Sequence, residues 1–411
     1  MSCIHGMKNT LLLLLLGTCL LLLSVSVWLR TEGSPPHRGK ENKEERPSTN
    51  ITPTGIRKLV TNTMKLGQHT NSSKDREHIT EKGIPFANAT LCREMQDKLL
   101  SASLRRRYSE DYYIQTVMKI QNCTWKKQAE ECRKFRSELA SCCNAVHNFI
   151  VSQNNTLLGS NMTYEVESKR NILIAENIFR MLPQSQPFLG YPFKHCAVVG
   201  NGGNLKNSSC GDEIDQSEFV FRCNLPPIRG NVTKDVGNKT NLVTVNPSII
   251  AVKYGKLKEN KMSFLENITH YGEAFLLLPA FSYRANTALS FKVYHTLQEF
   301  QAKQKAIFFH PKYLKSLAQF WRSKGVRAYR LSSGLMVTSA AIELCENVRL
   351  YGFWPFSKSI QGQPISHHYY DNQLPKPGFH AMPKEFYQVL QLHSKGILKL
   401  QFGECERRRK G

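Results

Sequence analysis

From His195 to Leu205 the chain reads HCAVVGNGGNL, from Ser217 to Pro227 SEFVFRCNLPP, and from Asn241 to Ile250 NLVTVNPSII. Each stretch opens with a short apolar run and closes on glycine or asparagine. The first run, Cys196–Val199, stops at Gly200-Asn201-Gly202-Gly203, and the next two stop at Asn224 and Asn246. A few apolar residues closed by glycine are the pattern of a buried strand whose end must come close to a ligand. Three such ends in succession point to a ligand crevice at the carboxyl edge of a parallel sheet.

Outward from this stretch the same alternation continues. Strands are expected at Cys196–Val199, Phe219–Cys223, Leu242–Val245, Ala274–Leu278, Ala306–Phe309, Val348–Phe353 and Ile397–Gln401. Helices are expected at Pro311–Arg322, Gly334–Glu346 and Pro383–His393. Strand and helix in turn indicate an α/β domain built on a largely parallel sheet, over 192–411. Before it, Cys132, Phe135, Leu139, Cys142, Val146 and Phe149 recur at helical spacing and predict one amphipathic helix in a helical part spanning 91–165. Asn154 to Thr163 reads as a surface loop.

The first ninety residues have a different character. Leu11 to Leu29 carry no charge and include eleven leucines. At 1.5 Å per residue such a run spans about 28 Å, close to the hydrocarbon thickness of a bilayer. It reads as a signal anchor (11–29) after a short cytoplasmic tail (1–10). Residues 30–90 are rich in Lys, Glu, Ser, Thr, Asn and Pro and read as a flexible stem below a catalytic domain at 91–411. Acceptor triplets for N-glycosylation stand at Asn50, Asn71, Asn88, Asn122, Asn154, Asn161, Asn207, Asn231, Asn238 and Asn267, all beyond the anchor. They place the bulk of the chain in the lumen, as a type II membrane protein. Twelve cysteines agree with an oxidising compartment. Their pairing is open from sequence, although the adjacent Cys142 and Cys143 would most simply take different partners. With 56 basic against 32 acidic residues the net charge is +24, which favours acidic partners. The lumenal placement turns that preference away from nucleic acid and towards acidic sugars.

Four features carry chemistry. Gly200-Asn201-Gly202-Gly203 lacks the third glycine of a dinucleotide fingerprint, since position 205 is Leu205, so NAD is not indicated. It still suits a phosphate or ribose. Ser332-Ser333-Gly334 opens an apolar helix, a place for an anion or for a simple serine cap. Trp354 follows at a strand end, where it could stack on a base or sit in the core. His367-His368-Tyr369-Tyr370-Asp371 has no second ligand pair at zinc spacing, so no metal site is expected. His380 stands just before a helix that Pro383 can start, and the positive helix end would keep its imidazole neutral. No D-x-D occurs in the chain. A sugar nucleotide donor would therefore be a monophosphate used without metal.

In this order and spacing the four features resemble the sialylmotifs of the sialyltransferases, glycosyltransferase family 29, and specifically the α2,8-linking branch. The runs SCCNAVHNFIVSQNNT, NMTYEVES and FSKSIQGQPISHHYYDNQLPK look most like its type VI, O-glycan-preferring subgroup. The resemblance implies a Rossmann-like, metal-independent GT-A-variant fold, CMP-sialic acid as donor and no cofactor. It implies sialylated glycoprotein or glycolipid acceptors and a Golgi membrane location. Residue by residue, it implies that Asn201 and Asn224 contact the donor. Ser332, Ser333 and Gly334 would bind at its phosphate and ribose, with Trp354 nearby. His380 would be the general base, and His368 would stabilise the departing phosphate. It pairs Cys196 with Cys345 and Cys210 with Cys405, each closing a loop worth about 5 kcal/mol on a chain-entropy basis, and leaves Cys223 a buried thiol. Two positions depart from the family pattern. Ser333 replaces a threonine and keeps the hydroxyl. Gly202 replaces a serine, so a backbone N–H must supply that donor. Lys303, Lys305, Lys312, Lys315, Arg322, Lys324, Arg327 and Arg330 form a basic run that would guide an acidic acceptor or be merely solvated. Two rivals keep part of this picture: a sugar-binding protein without catalysis, and a sulfotransferase. The first is at odds with His380 and His368, the second with the lack of a Lys- and Ser/Thr-bearing phosphosulfate loop.

Overall fold

Seven strands, apolar on both faces, need cover on both sides, and parallel pairing with helical crossovers supplies it. The structure is a computed structural model and describes residues 89–102, 108–188, 190–374 and 380–406. The strands are β1 (Phe193–Val199), β2 (Phe219–Arg222), β3 (Leu242–Thr244), β4 (Phe275–Leu278), β5 (Lys305–Phe308), β6 (Cys345–Tyr351) and β7 (Lys399–Leu400). They form one sheet in the order β5-β4-β3-β2-β1-β6-β7. All neighbours pair parallel. In β1, Cys196 and Val198 face one core and Ala197 and Val199 the other.

The long helices are α1 (Ala89–Ser101), α2 (Glu110–Ile120), α3 (Ala129–Cys142), α4 (Arg284–Glu299), α5 (Pro311–Ser323), α6 (Ser333–Leu344) and α7 (Met382–Ser394). Buried side chains of α1, α2, α3, α5, α6 and α7 share one core with Cys196 and Val198. The helix Lys261–Thr269 and α4 contribute to the other. The chain walks outward from β1 to β5, then returns through α5 and α6 to lay β6 on the opposite side of β1. The reversal therefore falls between β1 and β6, where α/β sheets open a ligand crevice. Cys196–Cys345 (Cα–Cα 6.1 Å) clamps these two strands, and Cys210–Cys405 (4.9 Å) ties the segment after β1 to the C-terminal segment.

The helical part differs from the expected single helix. The apolar face Cys132 to Phe149 is broken at Cys142, because Asn144 takes a left-handed conformation (φ 53°) before a short helix at Ala145–Asn148. Cys142 and Cys143 are bonded to each other, not to separate partners, and Cys92 pairs with Cys123. Cys132 and Cys223 are buried thiols, and burial raises Cys223 to about 12. The expected surface loop contains a strand: Asn161–Thr163 pairs antiparallel with Asn171–Leu173. Among the sequons, Asn154, Asn161, Asn207, Asn231 and Asn238 are exposed, while Asn122 and Asn267 are half-buried. Asn50, Asn71 and Asn88 lie outside the described residues, as do the tail, the anchor at 11–29 and nearly all of the stem. Among the described residues no helix is long and apolar enough to cross a membrane.

Candidate active site

The glycine loop after β1 packs first against its own protein. Gly200 N–H donates to Tyr351 O (2.7 Å), Gly202 N–H to Gly352 O (2.9 Å) and Gly203 N–H to His367 O (3.1 Å). A Cβ on Gly203 would fall 1.8 Å from the Ser366 carbonyl, so no side chain fits there. The backbone donor expected to replace a serine at position 202 is therefore engaged inside the protein. The glycines serve close approach of chain to chain, and a ligand must be met by neighbouring groups.

Asn201 is one such group. Its Nδ2 donates to Cys223 O (2.9 Å), while its buried Oδ1 has no hydrogen-bond partner. Its own carbonyl accepts Tyr369 N–H (3.0 Å). Asn224 is held in a left-handed conformation (φ 63°), with N–H donating to Thr244 Oγ1 (3.0 Å) and Oδ1 accepting Asn246 N–H (3.1 Å). These bonds present the side-chain amide at the end of β2. Thus Asn224 and Asn246 are bonded to each other, and Asn201 is bonded to the carbonyl that precedes Asn224. Arg222, fully buried at the last position of β2, supports this edge from within. It donates to Lys239 O (Nε 3.1 Å, Nη2 2.9 Å) and to Thr240 Oγ1 (2.9 Å).

The HHYYD segment lies directly on the glycine loop. Residue 368 bridges antiparallel to Gly202. His368 Nδ1 is 2.7 Å from Asp371 Oδ1, so the proton on Nδ1 donates to the carboxylate and Nε2 is the nitrogen left for chemistry. Tyr370 stacks on the imidazole (5.2 Å, 14°) and Tyr369 OH donates to Pro227 O (2.6 Å).

The start of α6 reaches the loop through one ring. Phe353 lies between Gly200 and Gly334: a Cβ on either would stand 3.3 or 3.1 Å from its ring carbons. Ser332 is the N-cap, its Oγ accepting Leu335 N–H (3.1 Å). Its own N–H donates to the buried Glu385 carboxylate (3.1 and 3.3 Å), whose pKa burial raises to about 6. Cap and anion site are thus compatible: the Ser332 hydroxyl caps, and Ser333 and Gly334 open the positive end of the helix. Phe353 and Glu385 escaped the sequence reading. Glu385 is the fifth residue after His380, but only the fold brings its carboxylate to α6.

Trp354 takes the other of its two anticipated places. It is 3% exposed, with Nε1 donating to Lys358 O (2.7 Å) and edge-to-face contacts to Phe356 and Phe386. With no open face it is core, not a stacking surface for a base. Phe353 follows Gly352, whose left-handed φ of 68° ends β6, and its ring packs against the glycine loop and the start of α6.

His380 sits two residues before α7. Its Nδ1–H donates to the Arg330 carbonyl (2.8 Å), which makes Nε2 the lone-pair nitrogen. Its pKa is lowered, chiefly by burial and also by the Arg330 charge, against the opposing effect of the carbonyl bond. Arg330 itself belongs to the basic run but turns inward to Glu165 (3.3 Å), and Lys324 pairs with Glu138. Lys303, Lys305, Lys312, Lys315, Arg322 and Arg327 remain exposed. Among the described residues no group of three metal-ligating side chains occurs.

A doubly wound parallel sheet with paired asparagines, a helix start and two oriented histidines at its carboxyl edge is a group-transfer site for a nucleotide-linked substrate. The profile of glycosyltransferase family 29 (sialyltransferase) matches residues 147–397, and the chain belongs to that family. It is 61% identical over 368 residues to alpha-2,8-sialyltransferase 8F of Pan troglodytes, covering 89% of this chain and 90% of that one. The Mus musculus protein of the same name is 58% identical over 396 residues (95% and 97%). Alpha-2,8-sialyltransferase 8E of Rattus norvegicus is 47% identical over 318 residues (77% and 85%).

Proposed function

We propose that this enzyme transfers sialic acid from CMP-sialic acid to the 8-hydroxyl of a terminal sialic acid, with inversion, on O-glycans of glycoproteins in the Golgi lumen. The transfer needs a base for the acceptor hydroxyl and relief of charge on the departing CMP phosphate. His380 Nε2 takes the hydroxyl proton as the oxygen attacks the anomeric carbon. As the imidazolium, His368 donates a hydrogen bond from Nε2 to the phosphate, and Asp371 on Nδ1 offsets the ring's positive charge. The α6 start at Ser333 and Gly334 faces the same anion. Asn201 and Asn224 hold the donor. The residues present suit a donor bound without metal.

The observation that carries this reading is His380 Nδ1–H on the Arg330 carbonyl, because it gives a half-buried imidazole one tautomer and one lone pair. The test is CMP release from CMP-sialic acid with sialylated mucin-type O-glycan, for the wild type and His380→Ala. Equal rates would remove His380 as the base. Linkage analysis of products from defined O-glycan, N-glycan and glycolipid acceptors tests the acceptor. An N-terminal anchor at 11–29 predicts that the full chain partitions with membranes and that deletion of those residues releases it.

A further inference from the structure

The run NMTYEVES, residues 161–168, lies outside the four motifs and has no part in the mechanism above. Its backbone is held on the segment after β4: Glu165 N–H donates to Phe281 O (3.0 Å) and Val166 N–H to Ser282 O (3.2 Å). The Glu165 side chain, 6% exposed, turns inward to Arg330, 11% exposed. Arg330 Nε donates to Glu165 Oε1 (3.4 Å) and Nη2 to Oε2 (3.3 Å). Ser282 closes a triangle, its hydroxyl accepting from Arg330 Nη2 (2.9 Å) and donating to Glu165. Two chain segments distant in sequence from Arg330 thus grip its guanidinium. The carbonyl of that same arginine is the group that orients His380.

We infer that Glu165 is a positioning residue for His380, acting through the Glu165–Ser282–Arg330 triangle that fixes the Arg330 backbone. The inference rests on the reading of His380 as the base. It has a geometric and an electrostatic side. Geometrically, a planar guanidinium held by bonds from two partners limits rotation of its own main chain, and so the direction of the carbonyl. Electrostatically, Arg330 opposes protonation of the imidazole, and Glu165 offsets that cation. The other titratable groups around the pair are Glu385 on the first turn of α7, the Tyr283 and Tyr329 phenols, and Glu167, which accepts Arg284 N–H.

The two charges act on His380 in opposite senses, which separates positioning from mere structure. Glu165→Gln leaves the Arg330 cation unopposed, while Arg330→Gln removes the cation and keeps the carbonyl. The experiment measures kcat against pH, and KM for CMP-sialic acid and acceptor, in wild type, Glu165→Gln, Arg330→Gln and His380→Ala. Glu165→Gln should lower kcat about tenfold with both KM values within about twofold, and move the acidic limb to lower pH. Arg330→Gln should move that limb to higher pH. Limbs that stay in place, or move the same way, overturn the inference. If His380→Ala keeps the wild-type kcat, the base reading falls and the inference with it. If His380→Ala is inactive but the limbs of the other two do not diverge, the inference alone falls. Should Glu165→Gln fail to fold, Arg330→Gln carries the test by the direction of its limb.

Discussion

The two histidines of the site are anchored alike and surrounded differently. Each has Nδ1 tied down by a protein oxygen. Behind His368 stands the Asp371 carboxylate, and the segment hangs on the glycine loop by main-chain bonds. Behind His380 stands a neutral carbonyl, in a half-buried position with an arginine nearby. A carboxylate compensates a ring that must carry positive charge, whereas at His380 the carbonyl fixes the tautomer and its pull towards a second proton is outweighed by burial and the Arg330 charge. In the proposed mechanism, one residue type would serve as donor in one place and as base in the other.

The largest expected effect is on His380→Ala, which should lower kcat about a thousandfold and leave CMP-sialic acid binding by calorimetry within about twofold. A comparable loss of binding would break the assignment of the donor to the other half of the site. Next, Asp371→Asn should cost about tenfold to a hundredfold in kcat with the acidic limb unmoved, since that limb belongs to His380. An unchanged kcat would mean that His368 needs no compensating charge. Third, His380 works as a base only when unprotonated and its pKa is lowered by burial. The acidic limb of kcat should therefore lie below the ordinary imidazole value of about 6.5. A limb above it in single-turnover measurements would contradict the buried, arginine-flanked surroundings. The smallest effect is on Ser332→Ala, which removes the α6 cap and should cost about 1 kcal/mol in thermal unfolding. A larger rise in KM for the donor than fall in melting temperature would show that the hydroxyl also meets the ligand.

Much of this arrangement can be read along the chain. All seven strands occur where the apolar runs predict them, with boundaries shifted by at most three residues. β6 ends at Tyr351, two residues before the end expected at Phe353, because Gly352 turns left-handed at φ 68°. The break in the helical part was hidden because an apolar stripe continues across it. Periodicity sees which side chains are buried, not whether Asn144 turns left-handed between them. Trp354 and Phe353 are adjacent, and only packing beyond the turn at Gly352 decides that Trp354 is core while Phe353 meets the glycine loop.

What the sequence determined by itself is local: apolar period, strand ends, helix starts, and the kinds of side chain carried to the carboxyl edge. What tertiary structure decided is relational. It bonded Gly202 and Gly203 N–H within the protein, left Asn201 Oδ1 without a partner, brought Glu385 to Ser332, and set Glu165 behind Arg330. Glu165 and Arg330 are 165 residues apart in the chain, and no local pattern couples groups so distant. Their meeting depends on the sheet order, which brings the end of β4, the start of α6 and the hairpin loop together. The physical reason is that periodicity reports burial, while hydrogen-bond direction and charge pairing belong to the packed state alone.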